Sequence, residues 1–255
     1  MRAFAPAALV LFLGALPACS GRHAESVVAA GSTSVQPYAE ILAEEYMALH
    51  PGEFIDIQGG GSSAGITAAE SGTADIGMSS RSLKESEGHL WMVEIAKDGL
   101  AVIVHPENPI GDLSLAQVRG IYAAGIANWS ELGGPDAKIH VITREEGSGT
   151  RSAFEELVMG EAGITPKAIV QSANGSVRQL VAGDRHSIGF ISLGLVDDPE
   201  IRVKAVRLEG VEAARENVVS GSYPLYRSFL FVAREEPSGP AGQFIDFIFS
   251  AEGRR

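Results

Sequence analysis

Residues 139–159 read IHVITREEGSGTRSAFEELVM, and this stretch sets the architecture. Ile139–Ile142 reads as a strand, Glu145–Gly149 as a turn and Thr150–Met159 as a helix. The same unit occurs upstream. Ser26–Ala30 leads into Gly31-Ser32-Thr33-Ser34, after which Tyr38, Ile41, Leu42, Tyr46 and Leu49 share one helical face. Pro37 suits the first helical turn, and His50-Pro51-Gly52 ends the helix. Phe54–Ile57 is the next strand, Gly59–Gly65 a turn, Ile66–Ser71 a helix closed by Gly72, and Asp75–Met78 a further strand. Such alternation predicts an α/β protein with mostly parallel central sheets.

Three turns share one chemistry: Gly31-Ser32-Thr33-Ser34, Gly59-Gly60-Gly61-Ser62-Ser63-Ala64-Gly65 and Gly147-Ser148-Gly149-Thr150. Each follows a strand and precedes a helix. The first helical turn leaves backbone N–H groups without partners, and the macrodipole adds partial positive charge there. Glycine lets a ligand approach the backbone, and the hydroxyls add donors. Any one of these turns alone reads more readily as an ordinary cap. Three in one chain point to a shared anion site. Arg144 follows the strand Ile139–Ile142, and Arg81 follows Asp75–Met78 and Ser79-Ser80, so both lie at carboxyl ends of strands. Ligands of open α/β sheets collect there, and a guanidinium can grip an oxyanion bidentately.

Composition narrows the function. The 255 residues suffice for one large or two modest domains, and a hydrophobic share of 45% supplies their cores. Lys+Arg number 20 against 32 Asp+Glu, a formal charge of -12, which argues against nucleic acid and against a polybasic membrane surface. One cysteine excludes an internal disulfide, a Cys-rich zinc site and a dithiol redox pair. The six histidines, His23, His50, His89, His105, His140 and His186, are scattered without zinc-helix spacing, so neither metal nor cofactor is expected. Glu146 stands where a G-x-S-x-G nucleophile turn needs its first glycine, and GGGSSAG lacks the Gly-Lys-Ser/Thr ending of a P-loop. No catalytic residue is assigned, and a serine esterase or phosphatase is the disfavoured alternative.

At the N-terminus, Arg2 precedes an apolar stretch, Ala3 to Leu16, and then small residues, the layout of an export signal. Leu16-Pro17-Ala18-Cys19 resembles the lipobox of bacterial lipoproteins, which implies cleavage after residue 18 and a lipid on Cys19. The alternative is ordinary cleavage of a soluble secreted protein. Residues 19–27 would form a lipidated tether, and loss of the leader with Arg2 takes the formal charge from -12 to −13. No later stretch is apolar and long enough to span a bilayer.

GSTSVQP, GGGSSAG, DIGMSSR and REEGSGTR, in this order and spacing, resemble the phosphate-binding subunits of bacterial ABC importers. The resemblance covers essentially the whole mature chain. It implies a two-lobed Venus-flytrap fold of type II, with a mostly parallel sheet in each lobe and the ligand between them. Residues 28–105 with 226–255 would form the first lobe and 106–225 the second, with crossings near His105–Pro109 and Ser220–Tyr226. It further implies that inorganic phosphate is held by Ser32, Thr33, Ser34, Gly61, Ser62, Ser80, Arg81, Arg144, Ser148, Gly149 and Thr150, with Glu146 holding Arg144 in place. An ABC permease is the implied partner of a monomeric receptor anchored outside the cytoplasm by its lipid alone.

One position departs from that family. Many members carry an aspartate where this chain has Ser80, and that carboxylate accepts a hydrogen bond from protonated phosphate. An acceptor-only carboxylate favours phosphate and repels unprotonated sulfate, whereas a serine hydroxyl can donate or accept. The expectation is that Ser80, or a carbonyl near it, accepts the phosphate proton. Binding of another tetrahedral oxyanion, sulfate or arsenate, and a sensor role without transport remain alternatives.

Overall fold

The computed structural model describes residues 26–254; the leader, Cys19 and tether residues 19–25 lie outside them. The chain begins with β1 (Ser26–Gly31), α1 (Gln36–Leu49), β2 (Phe54–Gly59), α2 (Ser62–Ser71) and β3 (Ile76–Ser79). The long strand β4 (Trp91–Val104) follows, then β5 (Asp112–Leu113), α3 (Leu115–Tyr122), β6 (His140–Arg144) and α4 (Gly149–Phe154). Next come β7 (Ile169–Gln171), α5 (Asn174–Gly183), β8 (Ser187–Ser192), β9 (Lys204–Ala205), β10 (Arg207–Leu208) and α6 (Arg215–Ser220). β11 (Tyr226–Ala233) and α7 (Gly239–Phe249) close the chain. The α2 helix starts at Ser62 rather than at the expected Ile66, because Gly61, at φ 92°, turns the chain directly into it. The helix expected to reach Met159 is α-helical only to Phe154 and widens into a π turn over Glu155–Met159.

The sheet order is β2-β1-β3-β11-β4-β8-β6-β7, with β9 also on β4. β1, β2 and β3 pair in parallel, as do β6, β7 and β8, so each lobe has a largely parallel sheet. β4 belongs to both sheets. Its first part, Trp91–Gly99, pairs with β11, and Leu100–Val104 pairs with β8. Between Gly99 and Leu100 it thus changes partner, and it continues through Val104, just before His105–Pro109, paired with β8. The returning chain lies alongside at Leu225–Tyr226, where the Leu100 N–H donates to the Leu225 carbonyl at 2.9 Å.

Both faces of both sheets are covered, which explains the apolar character of the central strands. In β11, Phe229 and Phe231 pack with α1 and α7, while Leu230 and Val232 face Ile66 and Ala69 of α2. In β4, Leu100, Val102 and Val104 join Tyr122, Phe154 and Phe190, while Ala101 and Ile103 meet Val177 and Val181 of α5. The Phe154 and Phe190 rings stack at 4.1 Å. Trp129 is fully buried in that core and donates from its indole to the His186 carbonyl at 2.9 Å.

Candidate functional site

The carboxyl ends of β1, β2 and β6 bring the three turns to one place between the lobes, and the end of β3 adds Ser80. The first lobe contributes Ser32, Thr33 and Ser34 ahead of α1, Gly61 and Ser62 at the start of α2, and Ser80 after β3. The second contributes Ser148, Gly149 and Thr150 at α4 and Asn174 at α5. Ser32, Ser34, Ser62, Ser80, Ser148, Thr150 and Asn174 are all buried. The Ser63 N–H donates to the Gly147 carbonyl at 3.1 Å, so the glycine-rich turns of the two lobes also meet through their backbones.

Hydroxyl accounting shows which groups remain free to donate. Ser34 Oγ accepts from Asn174 Nδ2 at 2.9 Å and from Arg227 Nη2 at 3.0 Å, which occupies both lone pairs. Its own hydrogen must then go to Thr150 Oγ1, 2.8 Å away across the lobes. The Thr150 hydroxyl hydrogen is left over, as are the Gly149 and Thr150 N–H groups at the start of α4, whereas the Arg151 N–H is capped by Ser148 Oγ at 3.3 Å. Ser32 Oγ donates to Ser80 Oγ at 2.8 Å, and the Ser80 N–H donates to Ser62 Oγ at 3.0 Å. Ser80 Oγ also meets Ser62 Oγ at 3.4 Å, where either can donate. Ser80 therefore keeps its hydrogen when Ser62 donates and its second lone pair when Ser62 accepts, and can serve an oxyanion or a protonated one accordingly.

Arg144 sits at the centre, with 1% of its side chain exposed. The Glu145 carboxylate takes Nε and Nη2 at 2.9 Å each, Nη2 also reaches Thr33 Oγ1 at 3.2 Å, and Nη1 is buried without a partner. The carboxylate holding Arg144 is thus that of Glu145 and not of Glu146, which lies exposed one residue further on. Arg81 is also placed differently from expectation. Its two Nη atoms bind the Glu87 carboxylate at 2.8 Å each, and Nη1 also donates to the Ser82 carbonyl, so it braces the loop behind Ser79-Ser80. The reason is local: Lys84–Glu87 forms a short turn that brings Glu87 back to face Arg81.

The hydrogen bonds from Arg81 hold the Glu87 carboxyl down from the ordinary 4.5 to about 2. A lowered folded-state value means this stabilisation is complete above pH 4.5 and disappears as pH falls to about 2. Glu87→Gln is expected to lower the unfolding free energy by about 2 kcal/mol at neutral pH, after allowance for solvent screening. Urea unfolding of both proteins at neutral and strongly acidic pH checks this; a difference that does not shrink in acid contradicts it.

The sequence reading missed four buried groups: Asp98, Asn174 as a contact, Ser192 and Arg227. Asp98 and Arg227 are direct cross-strand neighbours on β4 and β11, one residue from the end of that pairing at Gly99 and Tyr226. Arg227 Nε and Nη2 bind Asp98 Oδ2 at 3.0 and 2.9 Å, and Ser192 Oγ donates to Asp98 Oδ1 at 2.7 Å. Burial pushes the Asp98 carboxyl up and the Arg227 guanidinium down, and each charge pulls the other back. A signal for them exists in the sequence: an acid and a base within otherwise strand-like runs, which is tolerated in a core only when paired.

Known proteins share this architecture. The PBP superfamily domain matches residues 17–252. The phosphate-binding protein PstS of Bacillus subtilis is 30% identical over 232 residues, 89% of this chain and 76% of that protein. A phosphate ABC transporter substrate-binding protein from Clostridium perfringens, solved with bound phosphate, is 47% identical with a TM-score of 0.85. That likeness covers 90% of this chain and 95% of the other. An ABC-type phosphate transport receptor from Vibrio cholerae is 38% identical with a TM-score of 0.75, covering 89% of this chain and 95% of the other. The chain belongs to the PBP superfamily and, within it, to the PstS family of substrate-binding proteins.

Proposed function

We propose that this protein is an extracytoplasmic receptor that captures inorganic phosphate between its lobes and delivers it to an ABC importer; it is a binding protein, not an enzyme. The observation that carries the reading is Arg144 Nη1: a buried guanidinium nitrogen without a partner, set among hydroxyls and helix N-termini of both lobes. Such a group requires an acceptor, and a tetrahedral oxyanion supplies several at once. Thr33, Ser34, Gly61, Ser62, Ser148, Gly149 and Thr150 line the site, Ser32 orients Ser80, and Arg81 holds the loop that carries Ser80.

Residues 26–99 with 226–254 form the first lobe in this reading and 100–225 the second, hinged where β4 and the chain before β11 cross side by side. The ion bridges both lobes, and contacts available only when they meet shift the population to the closed form. A lipid on Cys19 would keep the receptor beside its permease; among the described residues no helix is long and apolar enough to cross a membrane.

Selectivity follows from the carboxylates. Glu145 gives both oxygens to Arg144, and Asp98 gives both to Arg227 and Ser192. With neither free to repel sulfate, discrimination falls to hydroxyl oxygens such as Ser80 Oγ accepting the phosphate proton. One unmatched buried polar contact is worth about 1–3 kcal/mol, so phosphate is expected to bind roughly 5- to 150-fold more tightly than sulfate. Competitive calorimetry with the two ions checks this, and equal affinities would sink the phosphate-selective reading.

A further inference from the structure

We propose that Arg227 is a second anion-binding guanidinium, working with Arg144 to clamp one tetrahedral oxyanion from the hinge side of the cleft. The inference rests on the phosphate reading above and adds a binding residue to it. Among the described residues, five buried side-chain atoms lack a hydrogen-bond partner, and two of them are the Nη1 nitrogens of Arg144 and Arg227. Both arginines are locked in the same way. A carboxylate grips Nε and Nη2, Glu145 for Arg144 and Asp98 for Arg227, which leaves Nη1 as the unused tine of each fork.

Both also reach the same turn. Arg144 Nη2 touches Thr33 and Arg227 Nη2 touches Ser34, adjacent residues ahead of α1. The two guanidiniums are close enough for the charge of one to act on the other. Each already has one carboxylate, and an anion between them would supply the acceptor that both Nη1 atoms lack while easing the residual repulsion of the two cations. A role for Arg227 confined to the hinge would account for its grip on Asp98. It would not account for a buried nitrogen left without an acceptor beside the hydroxyl cluster of Ser34 and Thr150.

The placement of Arg227 is also mechanically apt. It starts from β11 just after the second crossing, and Asp98 just before the first, while Ser192 ties Asp98 to the second lobe. An ion held by Arg227 is therefore bound at the pivot itself, where its contacts change little as the lobes swing. Arg144, on the second lobe, would reach the same ion fully only on closure.

The test is calorimetric titration of inorganic phosphate into the wild-type chain, the double variant Asp98→Asn/Arg227→Gln and the single variant Arg227→Lys. The double variant removes both charges together and so avoids burying an unpaired one. It is expected to melt near the wild-type temperature without phosphate, to bind phosphate at least about thirtyfold more weakly, and to lose most of the phosphate-induced rise in melting temperature. Arg227→Lys keeps the charge but not the fork, and is expected to weaken binding about tenfold. If the double variant does not fold, Arg227→Lys decides. Affinity within about threefold of wild type in the variants would overturn the assignment of Arg227 and leave the phosphate reading standing. Absence of phosphate binding by the wild-type chain would overturn both.

Discussion

Arg144→Ala is expected to weaken phosphate binding by about 2–5 kcal/mol, a loss of roughly thirtyfold to several thousandfold. The side chain is almost wholly buried, and its Nη1 has no other acceptor. Truncation removes a charged donor aimed at the ion. It also leaves the Glu145 carboxylate at the rim with no counter-charge, so the anion meets repulsion where it met a donor. The Thr33 hydroxyl loses its link to the second lobe as well. Titration calorimetry of phosphate into the variant reads the effect, with its ligand-free melting temperature as the check that the fold survives. Unchanged affinity would show that the ion is not held at this cleft.

Gly149→Ala is expected to separate folding from binding. A Cβ on Gly149 would overlap the Ser62 hydroxyl and stand 2.6 Å from Ser80 Oγ and 3.0 Å from Ser62 Cβ. Ser62 and Ser80 belong to the first lobe and Gly149 to the second, so the clash exists only when the lobes meet. In the separated state alanine is harmless and even favours the helix that starts there. Overpacking of this kind costs about 1–3 kcal/mol or more, all of it taken from closure and therefore from phosphate affinity. The variant should melt at or slightly above the wild-type temperature without phosphate. It should bind phosphate up to about a hundredfold more weakly and show little compaction in small-angle scattering when phosphate is added. Full compaction with wild-type affinity would mean that Gly149 does not face Ser62 and Ser80 across the cleft.

How much of this is legible in the sequence depends on the range of each contact. The glycine- and hydroxyl-rich turns are local chemistry, and the periodicity of Tyr38, Ile41, Leu42, Tyr46 and Leu49 marks α1 from the sequence alone. Arg144 could be placed because it follows its strand directly. The identity of its partner could not be read, since Glu145 and Glu146 are adjacent and only the turn of the backbone selects one. Arg81 was legible as a position but not as a contact, because Glu87 comes back to it through a short turn that carries little periodic signal. Asp98 and Arg227 stand 129 residues apart, and only the antiparallel register of β4 and β11 makes them neighbours. The change of partner along β4 is illegible for a related reason: the strand is continuous, and nothing in Trp91–Val104 breaks at Gly99–Leu100.

The acidic balance of the chain takes on a sharper meaning in this light. With a formal charge of -12, long-range attraction cannot draw an anion in. Both central arginines are paired with carboxylates, so the holding force comes from oriented N–H and O–H donors at short range in a buried cleft. The measurement that tests this most directly is calorimetric titration of inorganic phosphate into the wild-type chain. One saturable site per chain is expected, abolished or severely weakened by Arg144→Ala. No saturable heat from phosphate, or the same binding curve with and without Arg144, would contradict a phosphate receptor built on this cleft.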